Sequence, residues 1–118
     1  MVRRDKDGLS KKVYPRFDLM LASNSMFILA SQKMNAIGTA HYNITTEWDN
    51  MDKETPGYLG KLRADLAGVE YNLFGVGQNP SRHLPEQMLR EQLGAVYYVK
   101  PLISNRNLYL KTVKCNER

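Results

Sequence analysis

Short runs of alternating apolar and polar residues, separated by turn-forming residues, recur along the whole chain. Strands with one covered face produce this period of two, so the pattern predicts an all-β sheet and not a helical bundle. Residues 17–21 (FDLML) alternate, Asn24-Ser25 turns the chain, and residues 26–30 (MFILA) form the second arm of a predicted hairpin. Residues 35–38 mark a loop. Residues 41–48 (HYNITTEW) are dense in β-branched and aromatic side chains, with Tyr42, Ile44 and Thr46 on one face and His41, Asn43 and Thr45 on the other. Residues 49–57 (DNMDKETPG) are loop-like throughout. The segments 58–63, 69–74, 94–100 and 107–114 complete seven predicted strands.

One stretch departs from this pattern. Residues 85–93 (PEQMLREQL) combine an early proline, an acidic first turn and strong helix formers, which predicts a short surface helix. Its Met88, Leu89 and Leu93 would cover one end of the sheet while Arg90 faces elsewhere. No internal repeat, low-complexity segment or linker interrupts the chain. The expected organisation is a basic N-terminal segment over residues 1–13 and one domain over residues 14–118.

Composition adds class and compartment. With 118 residues, 42% apolar and 25% charged, the chain fits one soluble globular domain. Its best apolar run, residues 26–30, is far shorter than the roughly 18–20 residues of a membrane-spanning helix. The opening residues MVRRDKDGLSKK lack the apolar core of a secretory signal. Cys115, the single cysteine, excludes an internal disulfide framework and a multi-thiolate metal site, so a reducing intracellular compartment is expected.

The net charge of +5 sits at the ends. Residues 1–16 hold six Lys/Arg against two acids, residues 100–118 five against one, and residues 17–99 six against nine. A basic terminus is ordinarily a solvated, mobile tail, and that is the expectation for the first dozen residues; the alternative is an electrostatic arm for a phosphate-rich partner.

Catalytic chemistry finds no support in these residues. There are two histidines, one near-terminal cysteine without a base, and no Gly-rich phosphate loop. His83 reads as an inert loop histidine, and His41 as a strand histidine satisfied by a neighbour. Asp49, Asp52 and Glu54 lack the spacing of a calcium loop and read as solvated acids. Neither an enzyme nor a cofactor nor a metal site is expected.

Residues 60–63 (GKLR) carry a sharper signal. In an extended strand, residues two apart share a face at a separation of about 6.5–7 Å, which makes Lys61 and Arg63 a cationic pair. Leu62, with Tyr58 and Leu66 near it, would point inward, and Gly60 would permit close backbone approach. An ammonium beside a forked guanidinium suits two phosphate groups on one compact headgroup. Taken alone, such a pair is more often just a solvated strand face.

The surroundings of the pair supply a resemblance. The run YLGKLRADLAGVEYNLF, then Asn79-Pro80, then MLREQLGAVYYVKPL, resembles the first half of the tubby carboxy-terminal domain. Upstream, YPRFDLML and MFILAS resemble its first two strands, so the likeness covers about residues 14–114. It implies a closed β-barrel of about twelve strands threaded by a hydrophobic C-terminal helix. That family binds phosphatidylinositol 4,5-bisphosphate, and its cationic ligands fall on Lys61, Arg63 and Arg90.

Three departures from the family pattern qualify the expectation. Family members commonly place Asn where this chain has His41, so a headgroup contact becomes a titratable donor that would add charge at mildly acidic pH. The loop between the second and third strands, strongly basic in familiar members, keeps only Lys33. The second half of the domain, with its closing strands and central helix, has no counterpart in this sequence, so a mainly β, partial barrel is expected: a curled antiparallel sheet of about seven strands with one short helix, read as a fragment, the alternatives being a divergent chain that closes a smaller structure or one that completes itself by association.

The resemblance thus implies a phosphoinositide-binding tether or adaptor, cytoplasmic and peripheral at the plasma membrane, with nucleus and cilium as further compartments and no protein cargo specified. Its site set is Lys61, Arg63, Arg90, His41 and Lys33. The competing class is a small basic nucleic-acid-binding or transcription-linked module using the basic ends with Tyr97, Tyr98 and Tyr109.

Overall fold

The computed structural model describes residues 1–5, 13–99 and 109–115. Eight strands follow one another as β1 (Val2–Asp5), β2 (Arg16–Met20), β3 (Phe27–Lys33), β4 (His41–Thr45), β5 (Tyr58–Ala64), β6 (Glu70–Phe74), β7 (Gln92–Val99) and β8 (Tyr109–Cys115). Each pairs antiparallel with the next, giving one unclosed sheet in the order β1 to β8. All seven predicted strands are present. Such a meander follows when every connection returns the chain beside the strand it has just left.

β1 is the element that the sequence pattern missed. Val2–Asp5, assigned above to a solvated basic terminus, pairs with Arg16–Leu19 of β2. Asp18 explains the capture. The residue is 2% exposed, and its carboxylate accepts from Arg16 at 2.7 Å and from Arg3 at 3.2 Å. Two guanidinium groups beside a desolvated carboxylate compensate the cost of burying it, and one of them comes from β1.

The predicted helix over residues 85–93 is corrected to a single 3-10 turn at Glu86–Met88, preceded by another at Pro80–Arg82. From Leu89 the chain is extended, with ψ 145 there, and it enters β7 at Gln92. Nine residues are too few for a helix to persist on propensity alone. Main-chain bonds win instead: Gln78 N–H donates to Met88 O at 2.8 Å, Arg90 N–H to Gln78 O at 2.9 Å, and Gly75 N–H to Glu91 O at 2.9 Å.

The register divides the sheet into two faces. On one, Tyr42 stands opposite Leu62 and Leu62 opposite Leu73, with Tyr71 opposite Val96. On the other, Asp18 stands opposite Ala30 and Ala30 opposite Thr45, and these three are buried. The loop over residues 46–57 closes that second face. Asn43 donates its amide to Met51 O at 2.9 Å, Trp48 packs edge-on against Phe27 at 5.0 Å, and Met51 and Thr55 are buried. Arg16 also donates to Trp48 O. The tightest packing therefore lies beneath this loop, while the Tyr42–Leu62–Leu73 face is only half-buried.

Candidate functional site

The candidate site is built outward from β5. Lys61 is opposite Asn43 on β4 and Phe74 on β6, and Arg63 is opposite His41 and Asn72. Lys61 and Arg63 thus share a face with His41, and Leu62 points the other way against Tyr42 and Leu73, as the alternation predicts. Leu66 does not point inward beside Leu62; it is 86% exposed in the β5–β6 turn.

Gly60 fixes the approach of β5 to β6. Its φ is +149, and a Cβ there would stand 2.1 Å from Phe74 O. Only glycine combines that backbone region with that contact. Lys61 follows directly, so its position depends on the close approach.

Arg90 joins the pair from the extended connection ahead of β7, not from a helix. Its guanidinium carbon lies 4.6 Å from the centroid of the Phe74 ring, and Phe74 is the residue opposite Lys61. Gly77, at φ +134, lets the chain pass close to Arg90, since a Cβ would meet Arg90 N at 2.6 Å. Lys53, Tyr58, Lys61, Arg82 and Arg90, with Glu54 as the one acid, line a cavity of about 350 Å³. The Nε of Arg90 is buried without a hydrogen-bond partner. A second cavity of about 560 Å³ meets the first at Lys53, Tyr58 and Lys61 and adds His41, Asn43 and Met51.

The cations perturb one another. Burial pushes the Lys61 ammonium below its ordinary pKa, and Arg90, Arg63 and Lys53 push it further. Arg90 is lowered by burial and then by Arg63, against a raising influence of Tyr58. His41 is lowered by burial, then by Lys61 and Arg63. Among the described residues the ion pairs are those of Asp18 with Arg3 and Arg16, and a loose Lys53–Glu54 contact at 4.0 Å. Lys61, Arg63 and Arg90 take part in none. Their mutual repulsion is an arrangement that a multiply charged anion relieves.

Two expectations about the site change. Lys33 is opposite Tyr42, on the face away from Lys61 and Arg63, because the period of two places it with Leu62. His41 does stand beside the pair, where burial first and then Lys61 and Arg63 lower its pKa and oppose the extra charge expected at mildly acidic pH. Lys53, Arg82 and Phe74 were not singled out in the sequence. For Phe74 the β5–β6 register was the available signal; Lys53 and Arg82 arrive through loops whose path has no sequence pattern. No group of three or more His, Cys, Asp and Glu that could hold a metal gathers among the described residues.

Comparison with known proteins decides the family. The model of the Tub family matches residues 1–112. This chain belongs to the Tub family. The match takes in β1 as well as the region from residue 14 onward. Tubby-related protein 1 of Homo sapiens is 34% identical over 113 residues, covering 93% of this chain and 21% of that protein. Tubby protein homolog 1 of Caenorhabditis elegans is 30% identical over 103 residues, covering 82% of this chain and 24% of that protein. This Tub-family chain therefore spans under a quarter of the length of these relatives, and its eight-stranded open sheet is consistent with part of a tubby-like barrel. No helix among the described residues is long and apolar enough to cross a membrane.

Proposed function

We propose that this chain binds the bisphosphorylated inositol headgroup of phosphatidylinositol 4,5-bisphosphate and thereby tethers a tubby-like protein to the cytoplasmic leaflet. The observation that carries this reading is the cluster of Lys61, Arg63 and Arg90 on one face, without an ion-pair partner among the described residues. Lys61 supplies a point charge and the two arginines supply forked donors for phosphate oxygens. His41 borders the pair on the β4 side and offers a hydrogen-bonding ring to the headgroup hydroxyls. An anionic leaflet adds about 1 kcal/mol per basic residue near its surface. The activity is recognition, with no chemical step.

Cosedimentation with vesicles tests the reading. Lys61→Ala with Arg63→Ala is expected to abolish binding that depends on the bisphosphorylated lipid, whereas Lys6→Ala, Lys11→Ala and Lys12→Ala together leave it largely intact. The reverse result would transfer the function to the basic terminus and favour a nucleic-acid partner.

A further inference from the structure

The two most exposed large apolar residues among the described ones stand at the same end of the sheet. Ile37, in the β3–β4 turn, is 90% exposed, and Leu66, in the β5–β6 turn, is 86% exposed. Both turns leave the sheet where β4 begins and β5 ends. They are joined there, since Ala64 N–H donates to Ala40 O at 2.8 Å, and Thr39 and Asp65 line a single cavity with Arg63. A side chain of its own clasps each turn. The amide of Asn35 donates to Ile37 O at 2.9 Å and Thr39 O at 2.6 Å, and its oxygen accepts from His41 N at 3.1 Å. The carboxylate of Asp65 accepts from Val69 N at 2.9 Å and Glu70 N at 3.1 Å.

Exposure of this degree in an ordered turn does nothing for the fold of the chain. Charge is arranged around the two tips in a telling way. Residues 34–40 (MNAIGTA) and 66–69 (LAGV) hold no charged side chain, and the carboxylate of Asp65 is engaged by its own turn. Lys33 at the end of β3 and Arg63, the penultimate residue of β5, border them, and the two acids that flank the Leu66 turn are both engaged, Asp65 by the amides of Val69 and Glu70 and Glu70 by the side-chain amide of Asn72. Apolar tips with a basic shoulder match the layering of an anionic membrane, where acyl chains lie beneath phosphates. Because the turns are already ordered by their clasps, little conformational entropy is lost on insertion.

We infer that Ile37 and Leu66 are paired insertion tips that enter the acyl boundary of the leaflet whose phosphorylated lipid is held by Lys61, Arg63 and Arg90; the inference rests on the headgroup reading above. Lys33, which the register separates from the headgroup cations, then acts at this end as a shoulder for bulk anionic lipid. The tips set orientation, bringing the edge that carries Arg63 and His41 nearest to the bilayer.

The test separates headgroup from bilayer. Binding of soluble inositol 1,4,5-trisphosphate and binding to vesicles of phosphatidylcholine with phosphatidylinositol 4,5-bisphosphate are measured for the parent chain, Ile37→Ser, Leu66→Ser and the double variant. Each tip substitution is expected to weaken vesicle binding by about tenfold and to leave the soluble ligand unaffected. In Leu66→Trp, brominated acyl chains are expected to quench emission beyond the Trp48 background. Unchanged vesicle binding in the double variant, with soluble binding intact, overturns the insertion and spares the headgroup site. A parent chain that binds neither ligand overturns both.

Discussion

The guanidinium of Arg90 lies over the ring of Phe74, 4.6 Å from its centroid, and so reaches the cationic strand face from a segment 16 positions further along the chain. Since Phe74 is directly opposite Lys61, the ring positions two cations near one another that would otherwise separate. A half-buried cation–π contact, between the exposed and desolvated limits, is worth about 1–2 kcal/mol. Phe74→Leu is therefore expected to preserve the fold and to weaken soluble headgroup binding by about 5- to 30-fold, measured by isothermal titration calorimetry beside a thermal melt.

His41 supplies a pH dependence whose sign follows from its surroundings. Its pKa is lowered in the fold, by burial first and by Lys61 and Arg63 next, so below the ordinary value of 6.5 the unfolded chain takes up the proton more readily. The His41 contribution to stability is thus full above pH 6.5 and is lost as pH falls toward its folded pKa. A phosphorylated headgroup reverses the local field and draws that proton back. The phosphates themselves take up protons near pH 6, so the His41 contribution is read as a difference between chains: as pH is lowered below 6.5 the parent is expected to retain headgroup affinity better than His41→Asn, with binding at neutral pH little altered. A titration of affinity against pH in parent and variant checks both statements.

Gly60→Ala tests the strand approach that positions Lys61. The substitution combines a φ of +149 with a Cβ contact of 2.1 Å to Phe74 O, and the backbone must move. A loss of about 2–4 kcal/mol in urea unfolding is expected, together with loss of headgroup binding.

Asp18→Ala addresses β1. It leaves the mostly buried Arg16 and the half-exposed Arg3 without their carboxylate, at a cost of about 2–3 kcal/mol. Amide exchange in Val2–Asp5 is expected to accelerate, since the Arg3 ion pair ties this strand to β2. An unchanged exchange rate would show that the backbone ladder alone holds β1.

The expected binding is also electrostatic in origin and should weaken steeply with salt. Raising ionic strength shortens the screening length from about 10 Å at 0.1 M to about 3 Å at 1 M. Vesicle binding of the parent chain is expected to fall accordingly, and Arg90→Ala is expected to show a shallower salt dependence. Cosedimentation across a salt series measures this.

Much of this protein was legible in its order of residues. Seven strands follow from period-two alternation and the turn residues between them, because a half-covered sheet imposes that period on any chain that forms it. The juxtaposition of Lys61 and Arg63 with Leu62 reversed is the same rule applied to three residues. Local spacing was insufficient wherever a distant partner decided the outcome. Val2–Asp5 carries little apolar signal and becomes a strand through the Asp18 carboxylate. Residues 85–93 have helical propensity, yet Gln78 and β6 offer main-chain partners that a short isolated helix cannot match. Tertiary structure alone brought Arg90, Lys53 and Arg82 around Lys61, set Lys33 on the other face, and placed Ile37 and Leu66 at one end, since these relations depend on loop paths and cross-strand register, neither of which is encoded in a window of neighbouring residues.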